Sequence, residues 1–537
     1  MKLERWVCGE IALKSADAPR TYDCGITSEF VSPSGKVIKR DAFWDGSDDF
    51  LIRFAPTELG VWQWKASGPG VKTQGEITCV PYSGELPMYR HGFLKVGPKG
   101  RYLCHADNAP FFWLGDTHWH FAIGEKWGES NDPRFRNQFA AIVDKRAEQK
   151  FNVYQCNFHC EAMRMPGQET PEFFVRSENG LIPDIALFQE NLDKKMGYLA
   201  SKGFAIAAGF SWFYSAFAPD AKEWYESVAK YLVARYGAYP MIWTLAGEVG
   251  GYGKETQETL VNFWRGIALK VEELDSYGHL QTAHYTNERP FPSYYQNESW
   301  FDFTLNQAGH GDYPIDARPY RAHRALHDSK PFIEGESMYE QVLTLEPNGR
   351  RRATPEMLRR VAYLAIQNGA CGYTYAAQGM WHFQWDEPKP GAPSIGFGSF
   401  PPWHKAIDFP GADQMAAMRD FYESVDWSKL TPLSQQCFAK SKDPFSITFD
   451  DGDFAALFMP SVSADPEMDT VVAYFAETNR YPLGLKTLTK PSYTAQWINP
   501  ATGERTLISD SIEPDNGTWF APAKPWEQDA ILLVKAK

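Results

Sequence analysis

The strongest constraint on the fold is a rhythm in the middle of the chain. Between residues 88 and 424, short apolar runs alternate with amphipathic stretches of helical period. Eight runs have the length and composition of buried strands: Phe111–Gly115, Val153–Asn157, Ala205–Phe210, Ile242–Ala246, Gln281–Tyr285, Phe301–Leu305, Phe332–Glu334 and Gly372–Tyr375. Between several of them lie helical patterns. Phe188, Leu192, Met196 and Leu199 recur on one helical face, as do Trp224, Val228 and Leu232, and Leu260, Trp264, Ile267 and Val271. Eight strands alternating with helices predict an α/β chain folded as a (β/α)8 TIM barrel. The stretch is longer than the ~250 residues typical of that fold, which predicts insertions. The fifth-to-sixth connection has the weakest helix, because residues 287–299 are rich in Pro, Asn and Ser.

Both flanks keep a different period. In residues 1–84, Phe50, Ile52 and Phe54 alternate with Leu51 and Arg53, and Trp62 and Trp64 alternate with Gln63 and Lys65. A period of two means strands, and the turns at Pro33-Ser-Gly35, Asp45-Gly46 and Gly68-Pro-Gly70 predict a small β-sandwich. Residues 84–87 read as a linker. From residue 425 to 537 the pattern is again β, with an apolar run at Thr470–Ala476, a turn at Asn499–Gly503 and a last strand at Ala530–Lys535. The expected organisation is thus two small sandwiches around the 88–424 barrel. Residues 378–415 are long, irregular and hold Trp381, Trp385 and Trp403, so they are expected to wall a substrate site.

Composition removes several classes of function. Asp plus Glu outnumber Lys plus Arg by 67 to 54 across the 537 residues, a net charge of −13. That sign argues against nucleic acid and anionic membranes as partners. No apolar run approaches the ~18–20 residues of a membrane span. Residues 1–12 show no apolar signal region and no small-residue cleavage site, and the eight cysteines are scattered. Both point to a cytoplasmic protein with buried reduced thiols. Nineteen Trp and 26 Tyr suit sugar binding, because sugar C–H faces stack on aromatic rings.

Barrel enzymes place their working residues at the C-terminal ends of the strands. Reading off those ends gives Asp116, His118 and His120 after the first, and Asn157 and His159 after the second. Trp212 follows the third and Glu248 the fourth, while His284 lies in the fifth. Gln307 and His310 follow the sixth, Glu336 the seventh, and Gln378 and Trp381 the eighth. Two carboxylates stand out. Glu248 and Glu336 are 88 residues apart. At ~30 residues per βαβ unit, that separation spans three units, from strand four to strand seven. Carboxylates on those strands face each other across a barrel mouth, where they can flank a glycosidic bond. A spacing of ~5–5.5 Å gives retention and ~6.5–9.5 Å gives inversion.

The run Phe111-Phe-Trp-Leu-Gly-Asp116-Thr-His-Trp119 resembles the opening of the apiosidase-like glycoside hydrolase catalytic domain. Trp243-Thr-Leu-Ala-Gly-Glu248, Gln307-Ala-Gly-His310, Glu334-Gly-Glu336-Ser-Met-Tyr-Glu340 and Gly372-Tyr-Thr-Tyr375 resemble later parts of it. Glu10, Asp45-Gly46 and Ile52-Arg-Phe-Ala-Pro56 look like the sandwich that often precedes this barrel. The C-terminal sandwich looks like the module that often follows it. The resemblance implies a retaining type of barrel glycosidase in which Glu248 is the acid/base and Glu336 the nucleophile. Asp is common in the family where Glu248 stands, so this chain carries one more methylene there, and apiose is only the leading substrate.

Asp116, His118, Asn157, His159, His284, Gln307, His310 and Gln378 are candidate hydroxyl ligands, each also suited to a structural hydrogen bond. Trp212 and Trp381 are candidate stacking platforms, and Tyr339 a candidate partner of the nucleophile. A rival reading assigns His118 and His120, extended by Glu248, His284 and His310, to the metal site of an amidohydrolase-like enzyme. It leaves Glu336 idle and lacks the eighth-strand Asp such enzymes use. Cys156, His159 and Cys160 supply three ligands where structural zinc wants four. A third reading is a non-catalytic sugar-binding barrel. The expectation is a cytoplasmic glycosidase, exo-acting on a short oligosaccharide or plant glycoside, needing no cofactor. Its flanking sandwiches would shape the barrel edge or support homo-oligomer assembly.

Overall fold

The computed structural model describes residues 1–122, 126–158, 173–178, 180–288, 291–311, 317–344, 350–387, 401–433, 438–439, 460–476 and 484–537. Its centre is a curled parallel sheet. In chain order its strands are Trp113–His118, Val153–Asn157, Ala205–Gly209, Met241–Trp243, Thr304–Gln307, Phe332–Glu336 and Gly372–Tyr375. The spatial order runs from the fourth strand through the third, second and first to the eighth, seventh and sixth. The fifth position is held by single parallel bridges: Gln281 pairs with Trp243, Tyr285 with Val249, and His284 with Leu305. Those bridges join the fourth strand to the sixth and complete the eight-fold barrel.

Helices fall where the apolar spacing puts them, at Ala221–Tyr236 and Lys254–Leu274, with a π-turn at Phe188–Leu192 entering Asp193–Ser201; a further helix, Pro355–Gln367, precedes the eighth strand. The fifth-to-sixth connection contains turns and no helix among its described residues, as its Pro- and Asn-rich sequence requires. Trp113, Val153, Ala207, Ile242, Phe303, Leu305 and Ile333 fill the barrel interior as one buried cluster. Leu114 packs outward among Ile142 and Val143 of the helix Gln138–Glu148. Alternate residues of the first strand therefore face opposite sides.

The N-terminal region is a five-stranded sheet facing a three-stranded one. Phe50, Ile52, Phe54 and Trp62 are buried between them, as the alternation predicts, together with Phe30 and Ile38. Arg53, on the opposite face, is buried as well, because that face meets the barrel. Its guanidinium reaches Asp193 at 3.0 Å and the Arg235 carbonyl at 3.0 Å, while Arg40 donates to the carbonyls of Val233 and Ala234 at 2.9 and 2.8 Å. Two arginines thus satisfy the last carbonyls of the helix Ala221–Tyr236, where cations are favoured by the helix dipole. At the other end, a six-stranded sheet that includes Ser461–Ala464, Thr470–Phe475, Tyr493–Ile498, Arg505–Ile512 and Ala530–Ala536 packs on the helix Pro355–Gln367. Arg359 binds both oxygens of Asp529 (2.6 and 3.1 Å), and Tyr363 stacks on Tyr474 at 4.8 Å. Among the described residues, no helix is long and apolar enough to cross a membrane.

Candidate active site

The two carboxylates reach the barrel mouth by local departures from regular strand geometry. On the seventh strand, Glu334 faces outward: its oxygens accept from Tyr320 OH at 3.0 Å and from the Ala308 N–H at 2.8 Å. Strict alternation would turn Glu336 the same way. A bulge prevents it. Asn306 pairs with Glu334, but the next residue, Gln307, pairs with Glu336, so Gly335 is extra and the phase flips. A Cβ on Gly335 would lie 2.4 Å from Leu305 Cδ1, so only glycine fits. The Gly335 carbonyl is caught by Gln155 Nε2 at 2.9 Å. Gln155 is itself held by Thr374 at 3.0 Å, and Thr374 by Trp113 at 2.9 Å. This interior chain of side chains fixes the bulge from below.

On the fourth strand, regular pairing stops after Trp243. Leu245 and Glu248 both adopt left-handed backbone, each at φ +55°, around the short pair Ala246-Gly247. Left-handed conformations cost a branched or long side chain on the order of 1 kcal/mol and persist where surroundings impose them. Here Trp212 imposes one restraint. It lies flat against Gly247, where an added Cβ would be 2.4 Å from its ring. Trp212 is therefore a buried support for the Glu248 turn, and the exposed stacking platform expected of it is not present.

One imidazole links the two acids. The Glu248 N–H donates to His284 Nδ1 at 3.3 Å, so the ring carries its proton on Nε2. That nitrogen lies 3.1 Å from Glu336 Oε2, and His310 Nε2 lies 3.3 Å from Oε1. Burial alone would raise the Glu336 carboxyl. The contacts from His284 and His310 outweigh it and hold the group well below the usual carboxylate range. Glu248 moves the other way, raised by burial and by the charge on Glu336, against the opposing donors Tyr252 and Gln307. Gln307 Nε2 reaches Glu248 Oε1 at 3.2 Å, and the Tyr252 hydroxyl donates to the same oxygen. Among the described contacts none falls on Oε2. Tyr339 accepts from Trp119 Nε1 at 2.9 Å and stands beside Glu336; burial and that carboxylate push its phenol far up. Trp119 also lies edge-on to His284, with ring centroids 5.2 Å apart.

The other expected ligands divide. His284, Gln307, His310 and Tyr339 gather around the two acids. Asn157 points into the barrel near Gly209 and Thr244, and neither of its amide atoms has a described hydrogen-bond partner. Trp381 and Gln378 bond each other at 3.1 Å, with Trp381 6.0 Å from the Tyr339 ring and 5.7 Å from His120. Both are buried, so Trp381 also presents no open face. Asp116 and His118 correct the expectation most. The first strand runs through to His118, and both residues face outward. Asp116 is 1% exposed and accepts from Arg146 Nε at 2.5 Å, His118 Nε2 at 3.0 Å and the Thr117 N–H at 3.0 Å. His118 Nδ1 pairs with Tyr154 OH at 2.8 Å. These are structural bonds in the buried layer between barrel and helix, and they engage both carboxylate oxygens away from the barrel mouth. The same placement dissolves the amidohydrolase-like site, since His118 does not converge on Glu248, His284 and His310. His159 and Cys160 lie outside the described residues, as do residues 388–400 of the expected wall. Tyr252 and Trp119 are not among the expected ligands: Tyr252 lies on a turn four residues past Glu248, and Trp119, although it directly follows the first strand, is not one of the polar residues read off the strand ends.

A separate cavity of about 400 Å³, lined by Phe158, Phe188, Phe210, Trp224 and Leu232, lies between the outer face of the second and third strands and their helices. It contains none of the residues around the two acids.

Residues 97–429 match the apiosidase-like catalytic domain, more than half of the chain. The chain belongs to the apiosidase-like family. This family is one of glycoside hydrolases, so the apiosidase-like chain is an enzyme of that class. Residues 2–68 match a domain of unknown function, DUF5060. No curated protein sequence matches the chain. Among solved structures, a glycoside hydrolase covering 85% of this chain and 99% of its own superposes with a TM-score of 0.66 at 21% identity. A glycoside hydrolase of family 5 from Bacteroides vulgatus does so at 0.66 and 20%, covering 84% of this chain and 95% of its own. A further Bacteroides vulgatus structure covers 99% of both chains at 0.71 and 15% identity. The apiosidase-like barrel and its flanking β-regions thus share the fold of these proteins.

Proposed function

We propose that the chain cleaves a terminal sugar from a short oligosaccharide or plant glycoside, with Glu336 as nucleophile and Glu248 as acid/base, and with retention at the anomeric carbon. The observation that carries this reading is the shared imidazole of His284 between two carboxylates with opposite tendencies. The group held ionised suits attack on carbon, and the group biased toward its protonated form suits donation to the leaving oxygen. In Glu248, Oε1 takes both donors and acts as the carbonyl, so Oε2 carries the proton and faces the leaving group. As that group departs, Glu248 ionises and Tyr252 and Gln307 stabilise the new charge. It then deprotonates water for the second displacement. Gln307, Asn157 and His310 are the side chains best placed to hold sugar hydroxyls. Apiose is the leading sugar, on the family's name alone. A cytoplasmic setting suits small imported substrates, and the flanking sandwiches suit support of the barrel or self-assembly.

A panel of nitrophenyl glycosides, including β-apioside and α-arabinofuranoside, identifies the sugar. NMR of the first-formed anomer tests retention. Glu336→Ala and Glu248→Ala are expected to lose activity by at least about 10³-fold on a substrate whose release needs both steps. Parent-like rates in both variants end the assignment, and a first-formed anomer of inverted configuration ends retention.

A further inference from the structure

Glu248 is bordered by a cluster of aromatic rings, exposed at Tyr252 and Phe217 and half-buried at Phe213 and Tyr214, and the mechanism uses only the Tyr252 hydroxyl, not the ring faces. Tyr252 follows Glu248 on the turn Gly250-Gly251-Tyr252-Gly253, whose first two glycines take φ of +105° and +61°. Its hydroxyl is tied to Glu248 Oε1, yet the residue is 59% exposed. A ring anchored at its polar tip and open along its face is a fixed platform. Phe213 stands beside it, with centroids 6.1 Å apart and planes 77° to each other. Phe213 is seated by Gly251, since a Cβ there would come within 2.9 Å of its ring. Tyr214 lies 5.4 Å from Phe213, and Phe217, on the same short 3-10 turn, is 53% exposed. Aromatic rings left partly or largely open to solvent in one cluster mark a contact surface rather than core.

Chemistry fixes what the surface faces. The acid delivers its proton to the oxygen of the departing group, so that group must sit on the Glu248 side of the cleft. Glu336 belongs to the other partner, the sugar that is attacked. We infer that Tyr252 and Phe213 form the leaving-group subsite, and that it selects a leaving group which is itself a ring, carbocyclic or sugar, over a short alkyl chain. This inference rests on the assignment of Glu248 as acid.

The test uses the full chain and three glycosides of whichever sugar it releases, with methyl, benzyl and glucosyl leaving groups. Methanol and benzyl alcohol are of near-equal acidity, so their ratio reports contact rather than reactivity. The parent is expected to favour a ring-bearing leaving group in kcat/KM by about ten-fold. Phe213→Ala and Tyr252→Leu are each expected to cut that preference by about three- to ten-fold, through KM. Tyr252→Phe keeps the ring and is expected to keep the preference. Tyr252 is exposed, so its variants test the idea even where Phe213→Ala fails to fold. Loss of only the benzyl or only the glucosyl advantage identifies which ring is bound. A parent that does not discriminate, or a ratio unmoved in Tyr252→Leu, overturns the subsite while Glu248→Ala still shows whether the acid stands. If the parent releases no sugar from any glycoside, both readings fall.

Discussion

Glu248 donates its backbone N–H to Nδ1 of His284 at 3.3 Å. The main chain of Glu248 therefore sets the tautomer of the ring that contacts Glu336. His284→Phe removes the Nε2 contact with Glu336 and orphans the Glu248 amide. The carboxyl of Glu336, now held low partly by His284, should rise, so the acidic limb of kcat/KM should move to higher pH. kcat should fall by about 10²-fold or more, the usual cost of one preorganised donor. A pH–rate profile checks both; an acidic limb that stays in place while kcat falls would falsify the coupling.

Tyr252→Phe acts on the other limb. The hydroxyl favours the ionised form of Glu248, so its loss should raise that carboxyl further. The sign is then an alkaline limb displaced upward, with the acidic limb unmoved. Because the two acids titrate as a pair, the limbs report apparent values for both. An alkaline limb displaced downward contradicts the assignment of Glu248 as the group that must be protonated.

Gly335→Ala should be costly. The new methyl would press on Leu305, which is fully buried in the barrel interior, for about 1–3 kcal/mol of overpacking. Relief comes only by moving the bulge that aims Glu336, so kcat should drop more than KM rises. Gly197, within the helix Asp193–Ser201, has open space where a methyl would stand, with nothing within 4 Å, and Gly197→Ala should stabilise by up to about 1 kcal/mol. Thermal melts of the two variants should diverge; equal melts would remove the bulge argument.

Asp116→Ala separates a structural role from a sugar contact. It strands the buried Arg146 guanidinium, a loss of about 3–5 kcal/mol. KM of the folded enzyme should stay near parent, and a large KM rise without a fall in Tm would restore a sugar-binding role. Burial opposes the Asp116 charge, but Arg146 and His118 outweigh it and depress the carboxyl. Its stabilising contribution is therefore present above about pH 4, where the unfolded carboxyl ionises, and is lost as pH falls through the lower folded value. The parent should lose that increment in acid melts and Asp116→Ala should not.

Much of this was legible in the residues. The barrel follows from eight apolar runs, and Val153–Asn157 and Gly372–Tyr375 begin and end where composition places them. Glu248 and Glu336 were singled out by spacing, and His284, Gln307, His310 and Tyr339 surround them. The failures at Asp116 and His118 have one physical origin, the phase of a strand. The first strand extends past Gly115, so Asp116 and His118 sit within it and face outward. Glu336 escapes the same fate only through the bulge, which a single glycine marks in the sequence. Tyr252 lies beyond a strand end on a glycine turn, and its hydroxyl finds Glu248 through backbone torsions that no periodicity reveals. Gln155 is a polar residue inside an apolar run, visible in the sequence but meaningful only once the Gly335 carbonyl needs a donor.

The caps supplied by Arg40 and Arg53 have a consequence for any attempt to trim the enzyme. The helix they close leads directly into Met241–Trp243 and on to the turn bearing Glu248. Removing the first eighty residues would strip two cations from that helix end and open Asp193 and Arg235 to water. The leading β-region is then best regarded as a buttress of the turn bearing Glu248, and an excised barrel should lose activity before it loses its shape.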